Sequence, residues 1–158
     1  MKIKSLIDED FVNYKKPSMF ISSCYCDWKC CIEAGMDVCM CQNHDSFNTE
    51  IIDIPDTEIV ERYINNPITK AIVIAGFEPF LQFDEVVDLI KEFRLKTSDD
   101  IVIYTGYYRY EKENEINKLA GYKNIIVKFG RFIPNQEKHF DEILGVYLVN
   151  KEQYAERL

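Results

Sequence analysis

The sequence predicts an α/β protein with a mainly parallel sheet. The runs KAIVIAG (residues 70–76) and DIVIYTG (residues 100–106) are apolar without a polar alternation, which is typical of parallel strands buried on both faces. Residues 83–96, which separate them, have the apolar stripe of an amphipathic helix. Because strand and helix alternate in this way, we expect a parallel sheet whose ligands bind beyond the carboxyl ends of its strands.

The first half of the chain contributes fewer regular elements. SMFIS (residues 18–22) is a short apolar run that suits a buried strand. A helix is predicted over residues 56–66, because Asp56 can cap its first turn and the apolar residues after it recur at helical spacing. The strand at residues 70–76 follows this helix.

The second half continues the alternation. The helix predicted over residues 83–96 places its apolar side chains on one stripe, and the strand at residues 100–106 follows it. Residues 110–121 form a charged surface helix that Gly121 stops, and NIIVKFG (residues 124–130) is a further buried strand. The chain has no internal repeat and no linker, so we expect a single domain over residues 1–158.

Composition and charge exclude several classes of function. The 158 residues carry a formal net charge of −8, and the isoelectric point is near 4.8. Since phosphate binding needs clustered Lys and Arg, nucleic acid is not an expected partner. No apolar run has the roughly 18 to 20 residues that a membrane span requires. The amino terminus lacks the apolar core of a signal peptide, and we expect a cytoplasmic protein.

All six cysteines lie within one irregular stretch, residues 23–47, which we call the cysteine segment. In a reducing compartment, metal or redox chemistry explains them better than disulfides. The segment has no Cys-x-x-Cys pair of the kind typical of zinc sites, although a structural zinc site remains an alternative. Cys26 and Cys30 form a Cys-x-x-x-Cys pair, which with one further cysteine can hold three irons of a four-iron cluster and leave the fourth open.

The cysteine segment resembles the cluster loop of the radical S-adenosylmethionine (SAM) enzymes. CDWKC (residues 26–30) and MCQNHDSF (residues 40–47) are similar to the loop of the small activases that install glycyl radicals in anaerobic ribonucleotide reductase and pyruvate formate-lyase. AGFEPF (residues 75–80) resembles the Gly-Gly-Glu-Pro segment of these enzymes. IVIYTGY (residues 101–107) and FGRF (residues 129–132) resemble later parts in the same order.

This resemblance implies a fold, a cofactor pair and a set of site residues. The fold is a shortened, open β/α barrel of the radical SAM type, and the cofactors are a [4Fe-4S] cluster and SAM. The cluster ligands implied are Cys26, Cys30 and Cys41. The implied cofactor-binding residues are Met40, Asn43, Gly76, Phe77, Glu78, Pro79 and Thr105. No catalytic residue is expected beyond the cluster and SAM.

Individual roles follow from the chemistry of these residues. Glu78 is suited to pairing with the SAM ammonium group, beside the backbone carbonyls of Gly76 and Phe77. Met40 is expected to pack against the adenine, and Thr105 to face the nucleoside. Each residue also has a simpler interpretation, in which Glu78 is a polar turn residue and Met40 fills a gap in the core.

Two features depart from the family pattern. The second and third cluster cysteines of the family lie close together, whereas residues 31–40 separate Cys30 from Cys41 here. Phe77 stands where the family has the second glycine of its Gly-Gly-Glu-Pro motif. The sequence assigns no role to the remaining cysteines, which are Cys24, Cys31 and Cys39.

The expected function is reductive cleavage of SAM to generate a glycyl radical in a large partner such as an anaerobic ribonucleotide reductase. A flavodoxin- or ferredoxin-type protein is the implied electron donor. One alternative is a radical SAM enzyme that modifies a small molecule or a peptide. A second alternative is a cysteine-rich module that binds metal for interaction and performs no catalysis.

Overall fold

The computed structural model describes residues 1–158 and contains helices on a central sheet. The helices are α1 (Lys29–Ala34), α2 (Asp56–Asn65), α3 (Phe83–Lys96) and α4 (Glu113–Leu119). The strands are β1 (Lys2–Ile3), β2 (Ser5–Asp10), β3 (Ser18–Ser23), β4 (Ile52–Asp53), β5 (Ala71–Gly76), β6 (Asp100–Tyr104), β7 (Ile125–Phe129), β8 (His139–Asp141), β9 (Val146–Leu148) and β10 (Tyr154–Arg157). Short 3-10 helices lie at Val38–Met40, His44–Ser46, Pro79–Gln82 and Arg109–Glu111.

The main sheet has six strands in the order β10-β7-β6-β5-β3-β2. The central strands β3, β5, β6 and β7 pair in parallel, while β2 and β10 pair antiparallel at the two edges. The sheet does not close on itself. This confirms the predicted α/β class and the open, mainly parallel sheet, consistent with a partial barrel of the radical SAM type.

The predicted elements are present, with differences at their ends. The predicted helix over residues 110–121 is divided into the 3-10 turn at Arg109–Glu111 and the shorter α4. The division follows from a local cap, because the backbone N–H of Tyr108 donates to the Glu111 carboxylate at 2.7 Å. The antiparallel edge strands β2 and β10 were not predicted, since the alternation of strand and helix does not extend to them.

Opposite faces of the central strands pack against different layers. Ile72 and Ile74 of β5 contact the core beneath the helices, whereas Ala71 and Val73 point to the other face. Both faces are buried, as the continuous apolar runs indicated. The second face carries smaller side chains, and it leads at the carboxyl ends of the strands into an open cavity. None of the helices is long and apolar enough to cross a membrane.

Candidate functional site

A cavity of about 410 Å³ opens at the carboxyl ends of β3, β5, β6 and β7. Its size lies within the range of roughly 300–1,000 Å³ that is common for small-ligand sites. The cysteine segment forms one side, and the turns after the parallel strands form the other. The predicted site residues that line it are Cys26, Cys30, Cys41, Asn43, Gly76, Phe77, Glu78 and Thr105.

Three of the lining thiols accept backbone hydrogen bonds. The N–H of Trp28 donates to Cys26 Sγ at 3.3 Å, and the N–H of Asn43 donates to Cys41 Sγ at 3.5 Å. The N–H of Phe132 donates to Cys30 Sγ at 3.4 Å. Hydrogen bonds to cysteine sulfurs are among the features by which proteins tune iron–sulfur clusters. The thiols that accept them are the three that the resemblance implies as ligands.

The other cysteines have different positions. Cys31 also lines the cavity and is only 1% exposed. Cys24 is buried outside the cavity, where its backbone N–H donates to Gln82 at 2.7 Å. Cys39 is exposed to solvent and does not line the cavity. None of the six cysteines forms a disulfide.

The donor set is compatible with a cluster. Burial raises the pKa of the Cys26 thiol to about 12 and also raises the pKa of Cys30, so both thiols keep their protons at neutral pH until a metal displaces them. No three His, Cys, Asp or Glu side chains converge closely enough to hold a single metal ion. A four-iron cluster has no such requirement, because each thiolate binds a different iron.

Glu78 lies between the strand ends, and its carboxylate accepts three hydrogen bonds. Phe80 N–H and Thr105 Oγ1–H donate to Oε1 at 3.1 and 2.8 Å, and Gly106 N–H donates to Oε2 at 2.9 Å. A carboxylate has about four acceptor positions, so one remains for a ligand. Thr105 therefore orients Glu78, in addition to lining the cavity.

Glu78 as a whole residue is 5% exposed. Burial raises its pKa to about 7, although the three hydrogen bonds oppose the rise. Lys128 lines the same cavity from β7, and burial lowers its pKa to about 8. Lys128 Nζ donates to Gly130 O at 3.1 Å. The cavity thus combines a buried acid and a buried base, each with an ionisation close to neutral pH.

Asn43 connects the cysteine segment to the end of β5. Its side-chain amide donates to the carbonyl of Gly76. Phe77, the residue that departs from the family motif, packs edge-on against Trp28 and Phe47 at ring-centroid distances of 6.0 and 5.9 Å. Part of its bulk therefore contacts the cysteine segment.

Two glycines lie in close contact with neighbouring groups at the cavity. Gly76 has φ +82°, and a Cβ there would lie 2.1 Å from Ser22 Oγ. At Gly106 a Cβ would lie 2.7 Å from Cys30 Sγ and 3.5 Å from Glu78 Oε2. The absence of a side chain at Gly106 lets the sulfur of Cys30 approach the turn that holds Glu78.

Arg131 joins the helix of Cys30 to the sheet. Its guanidinium donates to Glu33 of α1 at 2.7 and 3.0 Å, to Glu111 at 2.8 Å, and to the carbonyl of Gly106. Lys29 of α1 also donates to Glu111. Arg131 is 3% exposed, and such bidentate charged pairs are directional. This network fixes α1 over the turn after β6.

The structure does not bring every predicted cofactor residue to the cavity. Met40 is 49% exposed and does not line it, and Pro79 is buried at the start of a 3-10 turn behind it. Sequence reasoning missed Cys31, Lys128 and Arg131. A lysine inside the apolar run NIIVKFG was a signal for Lys128, and the family-like FGRF (residues 129–132) contains Arg131, but the distant residues that Arg131 contacts could not be read from either run.

Comparison with known families bears directly on this site. A family model described as a 4Fe-4S single cluster domain matches residues 15–147. The match includes the whole cysteine segment and the ends of the four parallel strands around the cavity. No curated protein and no solved structure gives a significant match to the chain.

Proposed function

Since the chain belongs to the 4Fe-4S single cluster domain family, which is of the radical SAM type, we propose that it is an enzyme that reductively cleaves SAM. We further propose that it is an activase that generates a glycyl radical in a partner protein. A reducing compartment such as the cytoplasm suits its six free thiols.

The arrangement of the cavity carries this proposal. Three thiols with backbone N–H···S bonds and the buried carboxylate of Glu78 line one cavity at the ends of parallel strands. Cys26, Cys30 and Cys41 would hold the cluster and leave one iron without a protein ligand. Ligands bind at this end of parallel sheets, so cluster and SAM would be adjacent.

When bound, the cofactors would supply the chemistry, which is one-electron reductive cleavage of a sulfonium bond of SAM to methionine and a 5′-deoxyadenosyl radical, with the electron coming from the proposed donor. The chain itself binds and orients. Glu78, with one acceptor position unused, would pair with the SAM ammonium, while Thr105 and Gly106 hold its carboxylate in place. Trp28 and Phe77, whose rings contact each other edge-on, form an apolar part of the cavity wall.

The choice of an activase rests on the resemblance of the motifs to that group, and a large partner protein is proposed to complete the site. A flavodoxin or ferredoxin is proposed as the electron donor.

The test uses protein purified without oxygen. It should contain about four irons per chain, the composition of one cuboidal cluster, and SAM should change the electron paramagnetic resonance (EPR) spectrum of the reduced cluster. Reduced protein with SAM and an anaerobic ribonucleotide reductase should give a glycyl radical doublet, with 5′-deoxyadenosine formed in step with the radical.

Other outcomes would select the alternatives. Deoxyadenosine that accumulates over many turnovers, without a protein radical, would favour an enzyme that modifies small molecules or peptides. Zinc at full occupancy, or a cluster that never responds to SAM, would favour a metal-binding interaction module.

A further inference from the structure

The proposed function leaves one feature of the cavity unexplained, which is its fourth thiol. Cys31 lines the cavity together with the three proposed ligands and is 1% exposed. Cys24, which is nearly as buried at 3%, lies outside the cavity. Burial alone therefore does not account for the position of Cys31.

Cys31 is buried, but it lies apart from the two hydrophobic clusters of the protein. A free cysteine usually acts as a small apolar side chain in a hydrophobic core. Cys31 belongs to neither of the two hydrophobic clusters of the protein, and its sulfur has no hydrogen-bond partner in the structure. It is a buried thiol at the wall of a cavity that already contains three others.

The backbone of the cysteine segment brings Cys41 back to this thiol. Helix α1 ends at Gly35, which has φ +62°, and the N–H of Met36 donates to the carbonyl of Cys31 at 2.9 Å. The chain then continues through the 3-10 turn at Val38–Met40. The family places its second and third cluster cysteines close together and has no counterpart of residues 31–40. In this chain the backbone of these residues turns back, so that Cys31 and Cys41 line the same cavity.

We propose, on the basis of the proposed function, that Cys31 is an exchangeable fourth ligand of the cluster that occupies the open iron until SAM arrives. Four thiolates are the complete ligand set of a four-iron cluster. In the exchange, Cys31 leaves the iron as a thiolate and takes up the proton that the SAM ammonium group gives up. The amino nitrogen and the carboxylate of SAM then bind the iron, the remaining N–H groups of the amine still donate to Glu78, and no electron is transferred. Cys31 would protect the iron from loss in the resting protein.

The proposal predicts two changes in Cys31→Ala that do not involve turnover. The first is stability to oxidation: without SAM, mild oxidation should convert the variant to a three-iron cluster with its distinct EPR signal, while the unaltered protein resists this loss. The second is affinity. If Cys31 occupies the iron in roughly nine molecules of ten, only about one molecule in ten has an open iron that can bind SAM. Removal of Cys31 opens the iron in every molecule, so SAM binding should tighten about tenfold.

Cys24→Ala is the matched control, since it removes an equally buried thiol outside the cavity. Cys31→Ser, which keeps the size of the side chain, replaces Cys31→Ala if the latter does not fold. Iron content should equal that of the unaltered protein in all three variants. Equal behaviour of Cys31→Ala and Cys24→Ala in both measurements would overturn the proposal, as would a loss of iron as large as that of Cys41→Ala.

The oxidation measurement needs no SAM, so it separates this proposal from the proposed function. If no form of the protein responds to SAM, the proposed function and the exchange both fail. Three-iron conversion confined to Cys31→Ala would then still support Cys31 as a cluster ligand.

Discussion

The two sides of the cavity are built in different ways. The turns after β5 and β6 continue directly from paired strands, and the hydrogen bonds that Thr105 and Gly106 donate to Glu78 connect one turn to the other. The cysteine segment has no strand beyond β3 and contains only α1 and short 3-10 turns. Most of its side chains are exposed or half-buried.

The cysteine segment is held to the rest of the protein by individual long-range contacts. They include the hydrogen bonds of Asn43 to Gly76, of Phe132 to Cys30 and of Arg131 to Glu33. Glu78 N–H also donates to the carbonyl of Tyr25 at 2.7 Å. From this comparison we expect the sheet side to be preorganised and the cysteine side to gain stability when a cluster binds.

The largest expected effect comes from the cluster ligands. Replacement of Cys26, Cys30 or Cys41 with Ala should abolish stable cluster binding and SAM cleavage. One iron then lacks its thiolate ligand and is open to solvent and to loss. Hydrogen exchange should accelerate in residues 23–47 and remain unchanged in β5 and β6. Cys24→Ala and Cys39→Ala, whose thiols lie outside the cavity, should keep their iron. Iron analysis of each variant measures the first effect, and retention of iron in Cys41→Ala would remove Cys41 from the ligand set.

An intermediate effect is expected where the two sides touch. Gly106→Ala would place a Cβ 2.7 Å from Cys30 Sγ. A free thiol can rotate away from this contact but a cluster ligand cannot, so iron content should fall while the melting temperature of the iron-free protein changes little. Gly121→Ala is the matched control, since its Cβ would contact only the carbonyl of Lys118 at 3.2 Å. Equal iron in the two variants would show that Cys30 is not held at Gly106 in the loaded protein.

The smallest effect concerns Glu78 on the sheet side. Glu78→Gln should keep the cluster and weaken SAM binding by about 1 to 3 kcal/mol, the scale of a lost charge-assisted hydrogen bond. The surface variant Glu156→Gln should leave the affinity unchanged. An affinity that Glu78→Gln does not alter would make Glu78 a turn residue only.

The pH dependence sharpens this test. Burial raises the pKa of Glu78 to about 7, so in mildly acidic solution much of the protein carries a neutral carboxyl that pairs poorly with an ammonium group. SAM affinity should therefore rise with pH up to about 7 and level off above it. Glu78→Gln should remove this rise, which titrations of the EPR signal at several pH values would measure.

Much of the scaffold could be predicted from local patterns. The apolar runs and the stripe of α3 determine strands and helices through burial, which each segment encodes by itself. The edge strand β10 could not be predicted in this way, because its place depends on pairing with β7, a partner distant in sequence. The expected single domain and the assignment of individual site residues remain predictions.

For the site, the sequence by itself determined the chemistry that is available: the thiols of one segment, a carboxylate after β5 and glycines at the turns. Only the tertiary structure decided which groups meet. It placed Cys31 at the cavity and Cys24 outside it, left Met40 in solvent, and brought Lys128 and Arg131 to the site. The physical reason is that contacts with residues distant in sequence set the direction of side chains in an irregular segment. The local pattern of apolar and polar residues carries no information about those contacts.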